Sequence, residues 1–223
     1  LKVLVVVQAR TGSTRLPGKV LMPLAGKPLL VRMIERLQAA TTPAQIIVAT
    51  TTASSDDPVA ELSKQAGVAC VRGHPTDLLD RHIAALRTTD CDAVSKIPSD
   101  CPLIDPAVVD RILGASLEDP SYDYVSNLHP ATWPDGYDVE VMKRDVLETA
   151  WREATKPLER EHTTPFIWER PERFKLKNVV WDRDLQMTHR LTIDYAVTYL
   201  DAEYDKFTRG ACYFGRTPTD PVE

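Results

Sequence analysis

The residues best suited to chemistry follow directly on an apolar run, in the stretch Gln8-Ala9-Arg10-Thr11-Gly12-Ser13-Thr14-Arg15-Leu16-Pro17-Gly18-Lys19. Two glycines, a proline and small hydroxyl side chains make a loop whose amides can turn inward as an anion nest. Arg10, Arg15 and Lys19 put three cations into ten positions of a chain with a formal net charge of −5. The concentration of charge and the place after a strand predict a phosphate cradle. The loop is not a Walker A motif, because Lys19 is followed by Val20 and the glycine spacing differs, and it is not GxGxxG. Its composition alone also suits a solvated basic loop with turn glycines.

Carboxylates supply the second half of the chemistry. Asp100 follows a predicted strand, so it is expected at the same sheet edge as the loop. Asp194 ends a short predicted strand that Ile193 closes. Two carboxylates converging from distant parts of the chain could hold Mg²⁺, a hard ion that takes oxygen donors and keeps some waters. The residues taken alone also allow Asp194 as a helix N-cap and Asp100 as an ordinary turn residue. Asp138 and Glu140 alternate with Val139 and Val141, which places both carboxylates on one face of a strand. Taken alone, that face suits a solvated sheet surface. Arg160, Glu161 and His162 open a predicted helix that could reach the same face. His162 could take a proton from an acceptor hydroxyl or serve in packing. Arg72, Asp77 and Arg81 suit a base or ribose pocket, or charge pairing at a helix start.

The elements that must position these groups alternate in type. Residues 2–8 read as a continuous apolar strand, of the kind a sheet covered on both faces requires. Further strands are predicted over 45–50, 68–71 and 92–97, and helices over 28–40, 57–66 and 77–87. Leu29, Leu30, Met33, Ile34 and Leu37 form the apolar stripe of the first helix. Asp105-Pro106 supplies an N-cap and an N1 proline to a fourth helix burying Val108, Val109, Ile112 and Leu113. Repeated β-α units imply an α/β fold, a three-layer, doubly wound, mostly parallel sheet of Rossmann-like kind. Residues 1–223 read as one domain, in which about 127–190, richer in Pro, Trp and charge, form a small inserted subdomain. That segment, with helices near 143–154 and 159–169, is expected to bind the acceptor or to pair two copies into a homodimer. Ala196, Tyr199, Leu200, Tyr204 and Phe207 stripe a final helix.

Composition narrows the classes. The 223 residues suit one sizeable domain. No apolar run approaches the roughly 20 residues of a membrane span. Residues 1–7 have no separate basic region or cleavage site and read as a strand rather than a signal core. The mild, mixed charge has none of the basic footprint of a nucleic-acid binder. Cys70, Cys91, Cys101 and Cys212 form no CxxC pair, which argues against zinc and a disulfide framework and predicts a reducing cytoplasm.

Taken together, R-x-G-S-x-R-L-P-G-K and the following Pro23-Leu24-Ala25-Gly26-Lys27-Pro28-Leu29 resemble the start of the acylneuraminate and KDO cytidylyltransferases. Within that group the chain resembles most the SpsF-like branch of spore-coat polysaccharide biosynthesis. Further blocks match in order: Val71-Arg72-Gly73 with Asp77 to Arg81, Ser99 to Asp105, Asp135 to Val141, Arg160-Glu161-His162, and Arg190 to Asp194. The resemblance implies a CTP-dependent nucleotidyltransferase that joins CMP to a sugar-like acceptor and releases pyrophosphate. It implies nucleotide binding by Ala9, Arg10, Gly12, Ser13, Arg15, Lys19, Arg72, Asp77, Arg81 and Ser99. Arg10, Lys19 and Asp100 are implied as catalytic, Asp100 and Asp194 as Mg²⁺ ligands. Asp138, Glu140, Arg160, Glu161 and His162 fall to the acceptor side. The chain departs from the branch at Ser99, where Gly is usual, and at Asp194-Tyr195-Ala196-Val197, where Asp-x-Pro-Glu-Asp often stands. A tighter approach of ligand to backbone at Ser99 and the absence of a further carboxylate after Asp194 follow from these two departures.

Two other classes compete. A nucleotide-sugar-dependent glycosyltransferase would share the sheet and usually carries Asp-x-Asp behind a strand; Asp90-Cys91-Asp92 stands ahead of one, and Asp182-Arg183-Asp184 falls in the insertion. A catalytically silent nucleotide-binding subunit is the other, and the presence of Lys19, Asp100 and Asp194 argues against it.

Overall fold

The computed structural model describes residues 1–196 of the chain. β1 (Val3–Gln8) sends Val3, Val5 and Val7 to one apolar cluster and Leu4 and Val6 to another, the signature of a strand buried on both faces. A small hairpin of β2 (Pro23–Leu24) and β3 (Lys27–Pro28) leads into α1 (Leu29–Gln38), which buries the five residues of its predicted stripe. β4 (Ala44–Thr51), α2 (Asp57–Gln65) and β5 (Ala69–Gly73) follow within a residue or two of expectation. α3 (Leu78–Leu86) starts where the Asp77 side chain accepts from the Asp80 amide at 2.8 Å. β6 (Ala93–Pro98) precedes α4 (Pro106–Glu118), whose N-cap Asp105 accepts from the Ala107 amide, with Pro106 in the first turn. β7 (Tyr124–Ser126), β8 (Glu140–Lys143), α5 (Arg144–Glu153), α6 (Pro157–His162), α7 (Pro165–Trp168) and β9 (Leu176–Asn178) complete the described elements.

The strands form one seven-stranded sheet in the order β5-β4-β1-β6-β8-β7-β9. β1 runs parallel to β4 and β6, with Gln8 opposite Ala49 and Pro98; β8 runs antiparallel to β6 and β7, and β9 parallel to β7. The apolar residues of α1, Val59 of α2 and those of α4 pack on one face, and those of α3, α5 and α7 on the other. Three layers result, as the β-α alternation implies. The carboxyl ends of β1, β4, β6, β7 and β9 and the start of β8 share one edge, and the loops that carry the candidate chemistry open there.

Three expectations need correction. The helix predicted over 159–169 is two short helices. Thr163, at φ 71°, ends α6, and Pro165 can only begin a new turn, so the axis breaks between them. Ile193 lies in irregular backbone rather than a strand; its amide donates to the Asp100 carbonyl at 2.8 Å and its neighbour Arg190 makes a single bridge to Asp135. β8 begins at Glu140, so Asp138 precedes the strand. Residues 127–190 supply β8 and β9 to the main sheet, and the apolar residues of α5 and α7 to one of its faces. The final helix, beyond its first residue Ala196, lies outside the described residues.

Candidate active site

The loop after β1 is fastened before it meets any ligand. The Ala9 amide continues the sheet by donating to Ala49, and the amide and hydroxyl of Thr11 both donate to Asp56, each at 2.7 Å. Asp56 is buried. Burial opposes its ionisation, yet the Thr11 and Thr51 hydrogen bonds hold its carboxyl below the ordinary range. The Thr11 carbonyl accepts from the amides of Ser13 and Gly18, each at 2.9 Å, which curls the loop over Gly12. Gly18 takes φ 70°, a left-handed conformation that suits glycine, and turns the chain so that Lys19 points inward.

Lys19 is buried, and its ammonium is the centre of the site. Nζ donates to the Ile193 carbonyl at 2.9 Å and to Asp194 at 3.1 Å, and lies 3.5 Å from Asp100. Arg15 reaches Asp194 at 2.8 Å and lies over the Tyr195 ring. Arg190 reaches Asp194 at 2.9 Å and Asp135 at 3.4 Å. Burial opposes the ionisation of Asp194, but Lys19, Arg190 and Arg15 outweigh it and hold the carboxyl below its usual value.

Two further carboxylates border this group. Asp138 is pushed up to about 7 by burial first, and then by the negative charge of Asp135 and Asp100. Asp135 is raised by burial, against the pull of Arg190, with Asp100 and Asp194 adding to the rise. Gly136, at φ 106°, lets the two cross beneath the strap of residues 190–194. A Cβ there would lie 2.8 Å from the Leu191 carbonyl carbon and 2.9 Å from the Thr192 amide nitrogen.

The donor set suits a hard cation. Asp100 and Asp194 converge on one point, now bridged by the Lys19 ammonium, and all the candidate donors are carboxylate oxygens. Among the described residues no three His, Cys, Asp or Glu side chains close into a cage. A Mg²⁺ held by Asp100 and Asp194 would therefore draw its remaining ligands from water and phosphate oxygens, as that ion usually does.

The other expected residues spread along the edge. Arg10 and the buried Arg81 both donate to the Pro75 carbonyl, at 3.2 and 3.4 Å, and burial, then Arg10, depresses Arg81 to about 10. Arg72 is engaged with the Thr51 and Ala53 carbonyls and with Asp57. Asp77, expected on the nucleotide side, pairs with Arg160, expected on the acceptor side, at 2.7 Å from Nε; Arg160 also donates to the Trp151 carbonyl. Glu140 is buried and pairs with Lys96 at 2.6 Å, while Tyr124 donates its hydroxyl to it. Lys96 also donates to the His162 carbonyl at 3.0 Å. The His162 and Glu161 side chains are exposed, and Ser99 is half-buried. Arg72, Asp77, Arg160 and Glu140 are thus committed to contacts within the fold, while Lys19, Asp100, Asp194 and Arg15 meet directly. Asp56, Asp135 and Arg190 have no residue pattern in the sequence that marks them as site residues. Asp135 and Arg190 sit at the ends of matching blocks, but nothing in their spacing shows that they pair.

A cationic, glycine-bearing loop after the first strand, facing carboxylates across the carboxyl edge of a doubly wound sheet, is the layout expected of a nucleotidyltransferase. A family profile described as Cytidylyltransferase matches residues 4–208, and the chain belongs to that family, in its SpsF-like branch. The spore coat polysaccharide biosynthesis protein SpsF of Bacillus subtilis is 29% identical over 92% of this chain and 87% of its own. A cytidylyltransferase from Leptospira borgpetersenii superposes with a TM-score of 0.85 at 34% identity, covering 89% of this chain and 84% of its own. The fold is also that of a CMP:2-keto-3-deoxy-manno-octonic acid synthetase solved with CTP, at TM-score 0.72 and 18% identity over 91% of this chain and 97% of that one. Asp90 and Asp92 lie at the opposite, amino edge of the sheet, where Lys2 binds them both, so this Asp-x-Asp is not part of the candidate site. No helix among the described residues is long and apolar enough to cross a membrane.

Proposed function

We propose that the chain transfers CMP from CTP to a hydroxyl of a sugar-like acceptor, acidic sugars among them, and releases pyrophosphate. The observation that carries this reading is the meeting of loop and carboxylates at one atom, Lys19 Nζ, within 3.1 Å of Asp194 and 3.5 Å of Asp100. The loop of Gly12 and Ser13 cradles the triphosphate, with Arg10, Arg15 and Lys19 countering its charge. The acceptor oxygen bonds to the α-phosphorus, the bond from that phosphorus to the bridging oxygen breaks, and pyrophosphate leaves in line. The hydroxyl proton passes to a carboxylate on the acceptor side, where Asp138 stands beside Asp135 and Asp100. Mg²⁺ bound by Asp100 and Asp194 would supply charge neutralisation at the α-phosphate and the leaving group.

Cytosine as the base is supported by the family, and a role in surface polysaccharide synthesis by the name of the SpsF relative. Residues 127–190 would cover the acceptor side or pair two copies, and the reaction belongs in the cytoplasm. The test is a thermal-shift panel of the four nucleoside triphosphates with Mg²⁺, followed by pyrophosphate release from CTP and a set of sugar acids. CTP should stabilise most, since a ligand bound to the native state raises its melting point with occupancy. Stabilisation by UDP- or GDP-sugars without pyrophosphate release from any triphosphate would overturn the reading.

A further inference from the structure

The cations that face the phosphate cradle are already engaged. Asp194 Oδ1 accepts from Arg15 at 2.8 Å and from Lys19 at 3.1 Å, while Oδ2 accepts from Arg190 at 2.9 Å. The three differ in freedom. The Lys19 side chain is 10% exposed and also held by the Ile193 carbonyl, whereas Arg15 is 51% exposed. Arg190 is anchored away from the loop, donating Nε to the Thr192 hydroxyl at 2.9 Å and lying 3.4 Å from Asp135.

We infer that Asp194 occupies, in the free protein, the anionic place on Arg15 and Lys19 that a substrate phosphate takes, and that Arg190 is the positioning residue that retains Asp194 when they leave it. The inference rests on the triphosphate reading of the loop. An N–H donated to a carboxylate is not available to a phosphate, so phosphate binding at Arg15 Nη2 or Lys19 Nζ without metal breaks a charge-assisted bond to Asp194. With a divalent cation held at Asp194, Arg15 and Lys19 would lose their anionic partner and be free to turn to the phosphates. Metal and polyphosphate then strengthen each other's binding by the same factor. Arg190, bound to the other carboxylate oxygen, keeps Asp194 from swinging away or following Arg15 outward.

The test is calorimetric titration of inorganic triphosphate into the full chain, first with chelator and then at fixed free Mg²⁺. Because this probe has no base, the result is independent of the nucleotide preferred. Asp194→Asn should bind metal-free triphosphate about tenfold or more tightly than wild type, the scale of a charge-assisted hydrogen bond. Asp135→Asn makes the same change in net charge without touching Arg15 or Lys19, and should gain less than about threefold. Mg²⁺ should tighten binding strongly in wild type and less than about threefold in Asp194→Asn. Arg190→Gln should lose much of the Mg²⁺ effect, and Arg190→Lys should restore part of it. A purely structural Arg190 would lower the melting point of Arg190→Gln and leave the Mg²⁺ effect intact, which overturns its positioning role. Metal-free affinity in Asp194→Asn no better than wild type, or an equal gain in Asp135→Asn, overturns the counter-ion role. A wild type that binds neither triphosphate nor CTP with Mg²⁺ overturns the proposed function instead.

Discussion

Lys19 and Asp194 stand 175 residues apart in sequence, and their charged atoms lie 3.1 Å apart in the fold. The contact joins the first βα loop to the last described strap of the chain, and Asp100 completes it from the end of β6. Lys19→Met removes the ammonium on which both carboxylates converge. Arg15 and Arg190 still hold Asp194, so the fold should persist, with unchanged circular dichroism and a modest fall in melting point. Turnover should fall by about 10²–10³, the scale found when one electrostatic contact to a transition state is removed. Wild-type turnover in the folded variant would remove Lys19 from the chemistry.

Asp138 makes a prediction about pH. Its carboxyl is raised to about 7 in the fold, whereas an unfolded aspartate titrates near its ordinary value, about 4. The folded state thus binds the proton more tightly, so this group's contribution to stability is full below about pH 4 and lost as pH rises through about 7. Asp138→Asn abolishes the titration. In chelating buffer its melting point should exceed that of wild type by several degrees at pH 8.5, and the gap should narrow toward pH 4.5. A gap of the same size at both pH values would place the raised carboxyl elsewhere.

The order of β1, β4, β5, β6 and the first four helices is legible in the sequence because each is long enough to show its period. Val3, Val5 and Val7 against Leu4 and Val6 is a run that suits a strand buried on both faces, and its short length favours strand over helix. β7 and β9 span three residues each, too few to display an alternation, and only pairing defines them, β7 with β8 and β9 with β7. The break at Thr163 is also tertiary. Thr163 is buried beneath α3, its hydroxyl 3.2 Å from His82, and that packing sustains a positive φ that threonine rarely adopts. In the site, the loop and the two expected carboxylates are legible because residue type and strand end suffice to place them. The Asp56 anchor and the Arg190 pair with Asp135 are not, since each joins segments whose separation says nothing of their contact.

His82 is wholly buried on α3, with its Nδ1 2.8 Å from both Gln8 Nε2 and the Leu78 carbonyl. Burial lowers its pKa to about 3, against an ordinary value of about 6.5. The folded state resists a proton that the unfolded chain accepts. The stability this supplies is therefore complete above about pH 6.5 and lost as pH falls toward 3, an effect of a few kcal/mol at most. His82→Gln should melt lower than wild type at pH 7, because packing and the Gln8 contact are disturbed. Its disadvantage should shrink by pH 4.5, where wild type has lost part of the histidine contribution. A deficit that grows on acidification would show that the imidazole carries charge in the fold.

Gly12 and Gly136 both border the site and should respond to alanine in opposite ways. At Gly12 an added Cβ meets nothing within 4 Å, and its φ lies outside the left-handed region. Gly12→Ala should keep the wild-type melting point, because the loop has room for the methyl group. The cost should appear in binding instead, since the methyl group narrows the approach of phosphate to the loop amides; triphosphate affinity should weaken about tenfold or more, the equivalent of one charge-assisted bond. At Gly136 the same methyl group meets the backbone of Leu191 and Thr192 at 2.8 and 2.9 Å, and φ is 106°. Backbone cannot yield as a flexible side chain would, so Gly136→Ala should cost about 2–4 kcal/mol through strain and displacement of the strap. Displacing that strap also moves Arg190, Ile193 and Asp194, so Mg²⁺-dependent triphosphate binding should fall together with the melting point. Measuring both variants by thermal melting and by triphosphate titration separates the two roles: binding lost at constant stability for Gly12, both lost together for Gly136. A Gly136→Ala variant of wild-type stability would show that residues 190–194 do not press on Gly136, and the account of how Asp194 is held at the sheet edge would fail.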